Sequence, residues 1–510
     1  MAARALMVLG TGSDAGKSLT VAALCRILRQ EGFDVAPFKA QNMALNSFAT
    51  REGHEIGRAQ VMQAQAAGIE PHVDMNPILL KPTSDVGSQV ILNGKLFGNY
   101  VGVDYYGLKT QLLAAVRTAY ERLSARHEII VLEGAGSPVE MNLKDRDVVN
   151  LKMAEVANAN CILVADIDRG GVFASLIGTY SLLEPDERAR FRGFLINKFR
   201  GDLSLFTSGI DYLESHLAQP CLGVIPYLHN HGIDDEDSVS LDRRAIRPPL
   251  ANDARLSVCV VGLPYMSNFT DFSALENLTD VLLYYTRRPE DARFADVVIL
   301  PGSKNTIADL LWLRANGWGH TIENHVAAGK PLMGICGGFQ MLGREIRDPF
   351  LTESEVEAVE GLNVLDLKTV LAREKITRQA VARLQGSSCF GLEGPQPEFA
   401  GYEIHLGETS LGNGVRPLLT LQRLNDEVWS DDGAVSRDGR VLGTYLHGLF
   451  DSEPGLAFLL NHWRSICGKT TTTRRHDPIA ERERRYDALA DHFRRNLKLD
   501  LIYDALDGHA

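Results

Sequence analysis

The sequence predicts an α/β protein with two domains, each built around a parallel β-sheet. Three observations support this fold class. Short apolar strands alternate with helical patterns across residues 5–226, which is typical of a doubly wound parallel sheet. Residues 229–255 are polar, and a second series of apolar strands begins at Leu256. We therefore expect a first domain at 1–230, a linker at 231–254, a second domain at 255–455 and a C-terminal helical tail at 456–510.

The composition limits the class of protein. A chain of 510 residues is too long for one core, and 45% hydrophobic with 23% charged residues is ordinary for a globular protein. The net charge of −12 argues against a nucleic-acid surface. The sequence shows no membrane-length apolar run and no signal-peptide pattern, and its seven cysteines form no CxxC pair. We expect a cytoplasmic protein without a membrane or nucleic-acid partner and without a zinc site, whereas oligomeric state is not predictable.

A phosphate-binding loop follows the first strand. Residues 5–9 are apolar, Gly10-Thr-Gly-Ser-Asp-Ala-Gly-Lys-Ser18 follows, and helical periodicity runs over residues 19–30. Loop N–H groups at a helix N-terminus surround phosphates, Lys17 would reach the β and γ oxygens, and Ser18 would bind Mg²⁺. The alternative is a glycine turn with an incidental lysine. The sequence thus predicts an ATP site with Mg²⁺, formed by Thr11, Gly12, Gly16, Lys17 and Ser18.

Further polar residues follow other strands of this half. Glu133 ends the apolar strand 129–133, where an acid of a neighbouring strand would hold Mg²⁺, although a solvated loop glutamate is the alternative. Asn197 ends the strand that starts at Phe194. It faces the nucleotide base or caps a loop, and the sequence leaves both possibilities open. The polar loop from Gln41 to Ser47 also follows a strand, and ligands of open α/β sheets bind at such ends.

The second half contains a candidate nucleophile. Pro331-Leu-Met-Gly-Ile-Cys-Gly-Gly-Phe-Gln340 is an apolar run that breaks at Cys336 and two glycines. It predicts a buried strand, a tight turn and a helix, the geometry that lipases use to expose a serine. A helix N-terminus stabilises a thiolate, and the N–H group of Gly337 is well placed to hold an oxyanion.

A base for this cysteine is found far downstream. Val441-Leu-Gly-Thr-Tyr-Leu-His-Gly-Leu-Phe450 predicts a strand that delivers His447, and a cysteine nucleophile needs such a base. A structural turn at Leu-His-Gly is the alternative. Because a thiol acyl-transfer centre and an ATP site occur in one chain, the sequence indicates ATP-driven amide synthesis.

Several motifs resemble known families. The phosphate loop resembles that of dethiobiotin synthetase. Gly-Ile-Cys-Gly-Gly-Phe-Gln resembles the elbow of class I glutamine amidotransferases, a flavodoxin-like α/β fold, and Pro301-Gly-Ser303 resembles their loop that provides the second oxyanion donor, which implies Gly302. That family has a Glu two residues after the histidine, where this chain has Leu449. Tyr-Leu-His-Gly-Leu-Phe and Gly401-Tyr-Glu-Ile-His-Leu-Gly407 are similar to the amidotransferase domain of the cobyrinate amidases. Glu403 or His405 could then orient the base, a choice left open.

The first half is also similar to one branch of that family, the cobyric acid synthases. The motifs that carry this resemblance are Pro37-Phe-Lys-Ala-Gln-Asn-Met-Ala-Leu-Asn-Ser47, Leu80–Asp85, Glu133–Asn142 and Val164–Gly171. The resemblance implies ATP- and glutamine-dependent amidation of the b, d, e and g carboxylates of adenosylcobyrinic acid a,c-diamide, within cobalamin biosynthesis. Lys39, Asn42 and Asn46 are candidate contacts for this acidic corrinoid. The alternatives are a cobyrinic acid a,c-diamide synthase, or a regulatory P-loop ATPase that forms no amide.

Overall fold

A computed structural model describes residues 3–83, 87–229, 231–233, 254–385, 397–472 and 476–508 of the chain. It divides into two compact units. The first contains residues 1–44, 56–233 and 482–510, and the second contains residues 45–55 and 234–481. The predicted linker falls almost wholly outside the described residues, as do Cys389 and the end of the Leu80–Asp85 motif. The observed division differs from the predicted one because a short piece of the first half groups with the second unit.

The strands of the first half alternate with helices in the predicted way. They are β1 (Arg4–Gly10), β2 (Val35–Phe38), β3 (Gln41–Met43), β4 (Ser47–Ala49), β5 (Glu55–Gly57), β6 (Ile78–Pro82), β7 (Gly87–Leu92), β8 (Lys95–Val101), β9 (Ile129–Glu133), β10 (Asn160–Asp166), β11 (Phe191–Phe199) and β12 (Cys221–Pro226).

The strands of the second half are shorter on average but include one long pair. They are β13 (Leu256–Val261), β14 (Met266–Ser267), β15 (Val281–Thr286), β16 (Val297–Leu300), β17 (Gly302–Ser303), β18 (Leu332–Ile335), β19 (Glu345–Arg347), β20 (Ala358–Glu360), β21 (Leu367–Leu384), β22 (Glu398–Leu411), β23 (Val415–Arg416), β24 (Leu419–Arg423), β25 (Trp429–Asp432), β26 (Ala434–Ser436), β27 (Val441–Thr444) and β28 (Leu446–His447).

The α-helices connect these strands. They are α1 (Lys17–Gln30), α2 (Arg58–Ala66), α3 (Gly102–Gly107), α4 (Lys109–Ser124), α5 (Leu151–Val156), α6 (Val172–Ser181), α7 (Pro185–Arg188), α8 (Thr207–Leu217), α9 (Ser273–Glu276), α10 (Thr306–Ala315), α11 (Trp318–Ala327), α12 (Gly337–Met341), α13 (Glu453–Ile466), α14 (Pro478–Arg494) and α15 (Leu499–Asp507). Short 3₁₀ turns include Phe269–Phe272, which belongs to the site described below.

The first unit is built on a parallel sheet with the strand order β12-β11-β10-β1-β9-β2. Its strands are almost entirely apolar and buried, as expected when helices cover both faces. The predicted doubly wound parallel sheet is confirmed. The carboxyl ends of β1, β9, β10 and β11 share one edge, which brings together Gly10, Glu133, Asp166 and Asn197.

A second, smaller sheet in this unit was not predicted. It has the order β3-β6-β7-β8, with β3 parallel to β6 and the other pairs antiparallel. Its strands lack a clean alternation of apolar and polar residues, which is why sequence periodicity did not indicate them.

The second unit combines two sheets. The order of the first is β15-β13-β16-β18-β27-β26-β23, with its first five strands parallel, and this confirms the predicted α/β fold. The other is largely antiparallel around the long pair β21–β22, and was not predicted. The predicted strand 441–450 is corrected: β27 ends at Thr444, and His447 lies in β28, which pairs with β22 in the other sheet. The turn between them is held by a hydrogen bond from the Leu446 N–H group to Thr444 Oγ1 of 2.9 Å.

The predicted C-terminal tail is divided between the units. Leu456, Leu459 and Trp463 of α13 belong to the core of the second unit. Tyr486, Phe493 and Ile502 of α14 and α15 are buried in the core of the first unit. The tail therefore supplies packing helices, but not as a separate element.

Candidate active site

Cys336 lies at the junction of β18 and α12. All four residues of β18 are buried, and α12 begins at Gly337. Cys336 has φ 52° and ψ −110°, a backbone conformation that costs about 1–3 kcal/mol for a residue other than glycine. Two backbone hydrogen bonds hold it there, from its N–H group to Thr444 O at 2.8 Å and from the Gln340 N–H group to its carbonyl at 3.1 Å. The sharp turn predicted from the sequence is therefore present.

Glycines around Cys336 make the turn possible. A Cβ atom on Gly334 would fall 2.6 Å from Gly338 O, and one on Gly338 would collide with Leu300 O. Strand β18 and helix α12 therefore approach more closely than side chains would permit. This packing fixes the position of the cysteine between them.

The predicted oxyanion donors lie on facing backbone segments. A Cβ atom on Gly337 would be 3.0 Å from Ser303 N, so the start of α12 lies directly against β17. A Cβ atom on Gly302 would be 3.4 Å from His447 Cε1. Ser303 is held by a hydrogen bond of 2.5 Å from its Oγ atom to Asp309 Oδ2. Gly337 and the Gly302–Ser303 strand are thus brought together beside the histidine, as the sequence predicted.

His447 is buried and is held by a carboxylate that the sequence did not reveal. Its Nδ1 atom lies 2.7 Å from Asp271 Oδ2, and Asp271 is also buried. The other oxygen of Asp271 accepts a hydrogen bond of 3.2 Å from the Gly448 N–H group. Asp271 therefore fixes both the ring and the backbone beside it, and the ring also hydrogen-bonds to Cys336.

The charge of Asp271 changes the chemistry of His447. Burial alone would lower the pKa of His447, but the charge and hydrogen bond of Asp271, with a hydrogen bond to Cys336, raise this pKa to about 10. A protonated imidazole beside Cys336 is therefore the form present at neutral pH. That arrangement places an acid that can protonate departing ammonia beside the sulfur nucleophile.

The open question of what orients His447 is settled by this geometry. Leu449 is buried in the apolar core. Glu403 is engaged by Arg423, at 2.7 and 3.0 Å, and lies 3.4 Å from His405. His405 itself stacks on Tyr445 with ring centroids 3.9 Å apart. The carboxylate at His447 is instead Asp271, from the 3₁₀ turn Phe269–Phe272.

A signal for Asp271 was present in the sequence but was weak. Ser267-Asn-Phe-Thr-Asp271 follows the apolar strand β13, and polar residues after a strand mark the ligand edge of an open sheet. Because two phenylalanines flank Asp271, the sequence pattern indicates a buried core segment and not a functional acid. Asn268, in the same loop, adopts φ 54°, and its Nδ2 atom lies 3.5 Å from His447 Nε2.

The phosphate loop occupies the predicted position between β1 and α1. Lys17 is buried across the loop, and its Nζ atom donates to Gly12 O at 2.8 Å and to Gly136 O at 3.1 Å. Gly16 has φ 99°, a left-handed conformation that favours glycine. Thr11 is fixed by a hydrogen bond of 3.0 Å from its N–H group to Val164 O.

Asn197 supports this loop through its side chain. Its amide donates to Ala15 O at 2.9 Å, and its Oδ1 atom accepts from the Lys198 N–H group at 2.9 Å. A Cβ atom on Gly16 would collide with this amide. Of the two alternatives left by the sequence, the geometry favours the capping of a loop, here the phosphate loop itself.

The residues predicted to hold Mg²⁺ lie together. Ser18 Oγ is 2.9 Å from Glu133 Oε1, and two cis ligands of octahedral Mg²⁺ lie about 3.0 Å apart at the usual bond length. Lys39 Nζ also contacts Glu133 Oε1 at 2.8 Å, and Gln63 donates to Oε2 at 2.5 Å. The described residues hold no cluster of three or more His, Cys, Asp or Glu suited to a metal. The pair thus fits Mg²⁺ only when phosphate and water oxygens complete the shell.

The three candidate substrate contacts are buried residues. Lys39 is buried against Glu133, beside the phosphate loop. Asn42 is buried and its amide donates to Gln60 at 3.1 Å, because alternation along β3 turns it away from its neighbours Gln41 and Met43. Asn46 is buried in the second unit. The role of these three residues as substrate contacts stays a prediction.

The neighbours of Asn42 do line a cavity. A cavity of about 790 Å³ in the first unit is bordered by Gln41 and Met43 of β3, by Tyr100 and Tyr105, and by residues 135–138 after β9. Lys109, Lys144 and Arg146 lie on its border together with Glu140 and Asp147. Gly136, whose carbonyl accepts from Lys17, is one of the lining residues, so the cavity adjoins the phosphate loop.

Comparison with known proteins identifies both halves. Residues 6–237 match the family described as the CobQ/CobB/MinD/ParA nucleotide binding domain, and residues 257–455 match the CobB/CobQ-like glutamine amidotransferase domain. The cobyric acid synthase of Syntrophobacter fumaroxidans is 50% identical over 98% of both chains, and that of Klebsiella pneumoniae is 47% identical over 99% of this chain and 98% of its own. The chain belongs to the cobyric acid synthase family.

Membership of the cobyric acid synthases establishes the class of reaction. The chain is an ATP-dependent amide-forming ligase that takes nitrogen from glutamine, and the predicted enzyme class is confirmed. Among solved structures, one titled as a glutamine amidotransferase is similar at 22% identity and a TM-score of 0.30, and covers 41% of this chain and 98% of that one. None of the helices in the described ranges is long and apolar enough to cross a membrane. The six described cysteines are free thiols.

Proposed function

We propose that this enzyme converts the b, d, e and g carboxylates of adenosylcobyrinic acid a,c-diamide to amides, with ammonia from glutamine and activation by ATP. The observation that carries the proposal is the cavity beside the phosphate loop. Its volume lies within the range of sites for large small-molecule ligands. Tyrosines and aliphatic residues form much of the lining, and Lys109 and Arg146 add positive charge, which suits an apolar macrocycle with a carboxylate rim.

Glutamine hydrolysis would use the second unit. The Cys336 sulfur attacks the side-chain amide carbon, and the N–H groups of Gly337 and the Gly302–Ser303 strand stabilise the oxyanion. The protonated His447 gives its proton to the departing ammonia, and the neutral ring then activates water against the thioester. Asp271 would hold the ring throughout and stabilise its charged form.

Activation of the corrinoid carboxylate would use the first unit. A carboxylate oxygen attacks the γ-phosphorus of ATP, ADP leaves, and an acyl phosphate results; ammonia then displaces phosphate to give the amide. Lys17 at the loop stabilises charge on the transferring phosphoryl group. Mg²⁺, held by Ser18 and Glu133, would supply further neutralisation of the phosphate oxygens. We place this ATP-dependent reaction in the cytoplasm.

Mass spectrometry of the corrinoid product tests the proposal. The enzyme is incubated with adenosylcobyrinic acid a,c-diamide, ATP, Mg²⁺ and glutamine, and each amidation exchanges one hydroxyl for one amino group. Stepwise conversion up to four amides is the expected result. Two amidations of cobyrinic acid, with no change in the a,c-diamide, would instead assign the cobyrinic acid a,c-diamide synthase reaction.

A further inference from the structure

Lys304 follows the short strand Gly302–Ser303 in the second unit, and only 8% of the residue is exposed. Within the ranges of the chain that the structure describes, its ammonium group makes no hydrogen bond and no ion pair. A buried charge without a partner is costly for a protein, so its presence calls for a reason other than the stability of the fold. A ligand that carries the opposite charge would supply that reason.

The backbone of Lys304 is held firmly beside the candidate oxyanion donors. Its N–H group donates to Tyr265 O at 2.9 Å, and the Tyr265 N–H group donates to Asp309 Oδ1 at 3.1 Å. The other oxygen of Asp309 accepts from Ser303 Oγ at 2.5 Å. Strands β14 and β17 are also paired here. These contacts fix the base of the Lys304 side chain relative to the Gly302–Ser303 strand.

The ammonium group of Lys304 lies within electrostatic reach of the strands that border Cys336. Burial lowers the pKa of Lys304, and the charge of Lys375 on β21 lowers it further. Strand β21 pairs with β22, and Ile404 O of β22 accepts a hydrogen bond from Cys336 Sγ at 3.5 Å. The side chain is therefore directed into the unit, toward the strands beside the nucleophile.

Glu353 adds a carboxylate to the same region. Its Oε2 atom accepts a hydrogen bond of 2.9 Å from the N–H group of Thr306, the first residue of α10. Burial raises the pKa of Glu353, and the charge of Lys304 opposes this rise. A Cβ atom on Gly337 would be 3.1 Å from Thr306 Oγ1, so this contact lies beside the start of α12. A cation and an anion thus lie close to the oxyanion donors, and glutamine carries one charge of each sign at its α-carbon.

Two other cations in this part of the unit already have carboxylate partners. Lys375 Nζ lies 2.6 Å from Glu55 Oε2, and Arg423 contacts Glu403 at 2.7 and 3.0 Å. Their charges are balanced within the protein, whereas the charge of Lys304 has no such contact. Because hydrogen bonds between ionised groups are strong, an incoming carboxylate gains most from Lys304.

The dimensions of glutamine agree with a contact at Lys304. In an extended glutamine the α-carboxylate carbon lies about 5 Å from the side-chain amide carbon, by ordinary bond lengths. Lys304 is two residues beyond Gly302, which is about 7 Å along an extended strand, and its own side chain spans about 6 Å. A glutamine whose amide carbon faces Cys336 and whose oxygen meets the Gly302 strand can therefore present its carboxylate to Lys304.

We propose that Lys304 binds the α-carboxylate of glutamine and thereby selects the free amino acid as the nitrogen donor. The proposal rests on the glutaminase site proposed above at Cys336. A carboxylate bound there gives the buried ammonium the charged partner that the fold does not provide. Lys304 then determines how tightly glutamine binds, while Cys336 and His447 carry out the chemistry.

The test compares three amides as substrates of the full-length protein, with released ammonia as the readout. Glutamine has both α-groups, glutaramate lacks the α-amino group, and 4-aminobutanamide lacks the α-carboxylate. For Lys304→Met we expect kcat/KM to fall about 30-fold with glutamine and with glutaramate, the size of one hydrogen bond to a charged group, and to stay unchanged with 4-aminobutanamide. Most of the fall with glutamine should appear in KM. Lys368→Met is the matched control, because that side chain is 60% exposed on β21.

Urea unfolding separates a binding role from a structural one. Lys304→Met removes a buried ammonium without a partner, so the urea midpoint should stay the same or rise. Lys375→Met breaks the pair with buried Glu55 and should lower the midpoint. If Lys304→Met lowers the midpoint as far as Lys375→Met does, Lys304 serves the fold and the proposal is wrong.

The contrary kinetic results are equally clear. Unchanged kcat/KM for glutamine in Lys304→Met would overturn the proposal, as would an equal fall with 4-aminobutanamide. An unmodified enzyme that hydrolyses glutamine and 4-aminobutanamide with the same kcat/KM would also overturn it, whether or not the variant folds. Glutamine hydrolysis that persists in Cys336→Ser would contradict the proposed glutaminase site instead, and the comparison of the three amides would still test Lys304.

Discussion

The two reactive centres use the same turn from a parallel strand to a helix, but they fix different parts of the chain. At the phosphate loop six residues, 11–16, separate strand β1 from helix α1, and left-handed φ angles occur at Asp14 and Gly16. At the elbow a single residue, Cys336, bears the strain itself. A loop that binds phosphates must present many N–H groups, whereas an acyl-transfer centre must hold one side chain. The length of the turn therefore reflects which atoms the chemistry needs.

The largest expected effect is that of a substitution at Cys336, which should affect only one of the two centres. Cys336→Ser should reduce glutamine-dependent amidation by about 10⁴-fold or more, because the nucleophile is lost, and should leave ammonia-dependent amidation intact. Both rates can be followed by mass spectrometry of the corrinoid. Cys467→Ser, a half-buried thiol of the same unit, is the control. Loss of both activities in Cys336→Ser would contradict the division of labour between the centres.

A second prediction concerns what the elbow requires from its neighbours. Asp271→Asn should lower glutaminase kcat by about 10³-fold, because the ring loses its orienting charge. Since Asp271 raises the pKa of His447 to about 10, the alkaline limit of activity should also move to lower pH. The pH–rate profile of glutamine hydrolysis checks this shift. Asp280→Asn, a surface partner of Arg464, should leave the profile unchanged.

Asp271→Asn should also change how the free energy of unfolding depends on pH. The folded-state pKa of His447 lies above its unfolded value near 6.5, so its protonation stabilises the fold fully below pH 6.5 and progressively less as pH rises to about 10. Asp271→Asn should therefore lower the free energy of unfolding most at acidic to neutral pH and least near pH 10. Urea unfolding at several pH values measures it. A destabilisation that grows with rising pH would contradict the assigned charge state.

At the phosphate loop the corresponding prediction concerns the binding of Mg²⁺. Glu133→Gln should lower amidation with either nitrogen source by about 10²-fold and raise the Mg²⁺ concentration needed for half-maximal rate, because one carboxylate ligand is lost. Glutaminase activity without corrinoid should not change. Glu121→Gln, an exposed position on α4, serves as the control. An unaltered Mg²⁺ dependence would remove Glu133 from the metal site.

The smallest expected effect is that of a substitution at Asn197, which tests whether this residue supports the phosphate loop or recognises the base. Asn197→Ala removes the hydrogen bond to Ala15 O and should raise KM for ATP by about tenfold, with little change in kcat at saturation. GTP and ATP should be affected alike, since the residue supports the loop and not the base. Asn324→Ala, exposed on α11, should change neither constant. A selective change in the preference between ATP and GTP would assign Asn197 to base recognition.

Sequence reasoning succeeded where the backbone defines the feature. The phosphate loop, the elbow and both parallel sheets follow from glycine positions and apolar runs, which are local in the sequence. The sequence also selected His447, because it follows an apolar strand and a base was required, and the structure places it beside Gly302.

The failures concern partners brought together only by tertiary structure. Asp271 lies between two phenylalanines that the sequence presents as core. The antiparallel sheet that carries β28 has no compact local signature, since its long strands pair across wide sequence separations. Propensity and periodicity contain no information on such pairings.

The placement of residues 45–55 has a consequence for genetic modularity. A fragment that begins at the predicted linker would include Cys336, His447 and Asp271 yet lack Asn46, the acceptor of the Phe269 N–H group. The second unit is therefore not contiguous in the sequence. Exchange of the amidotransferase half between homologous enzymes would therefore succeed only if the short upstream segment were exchanged with it.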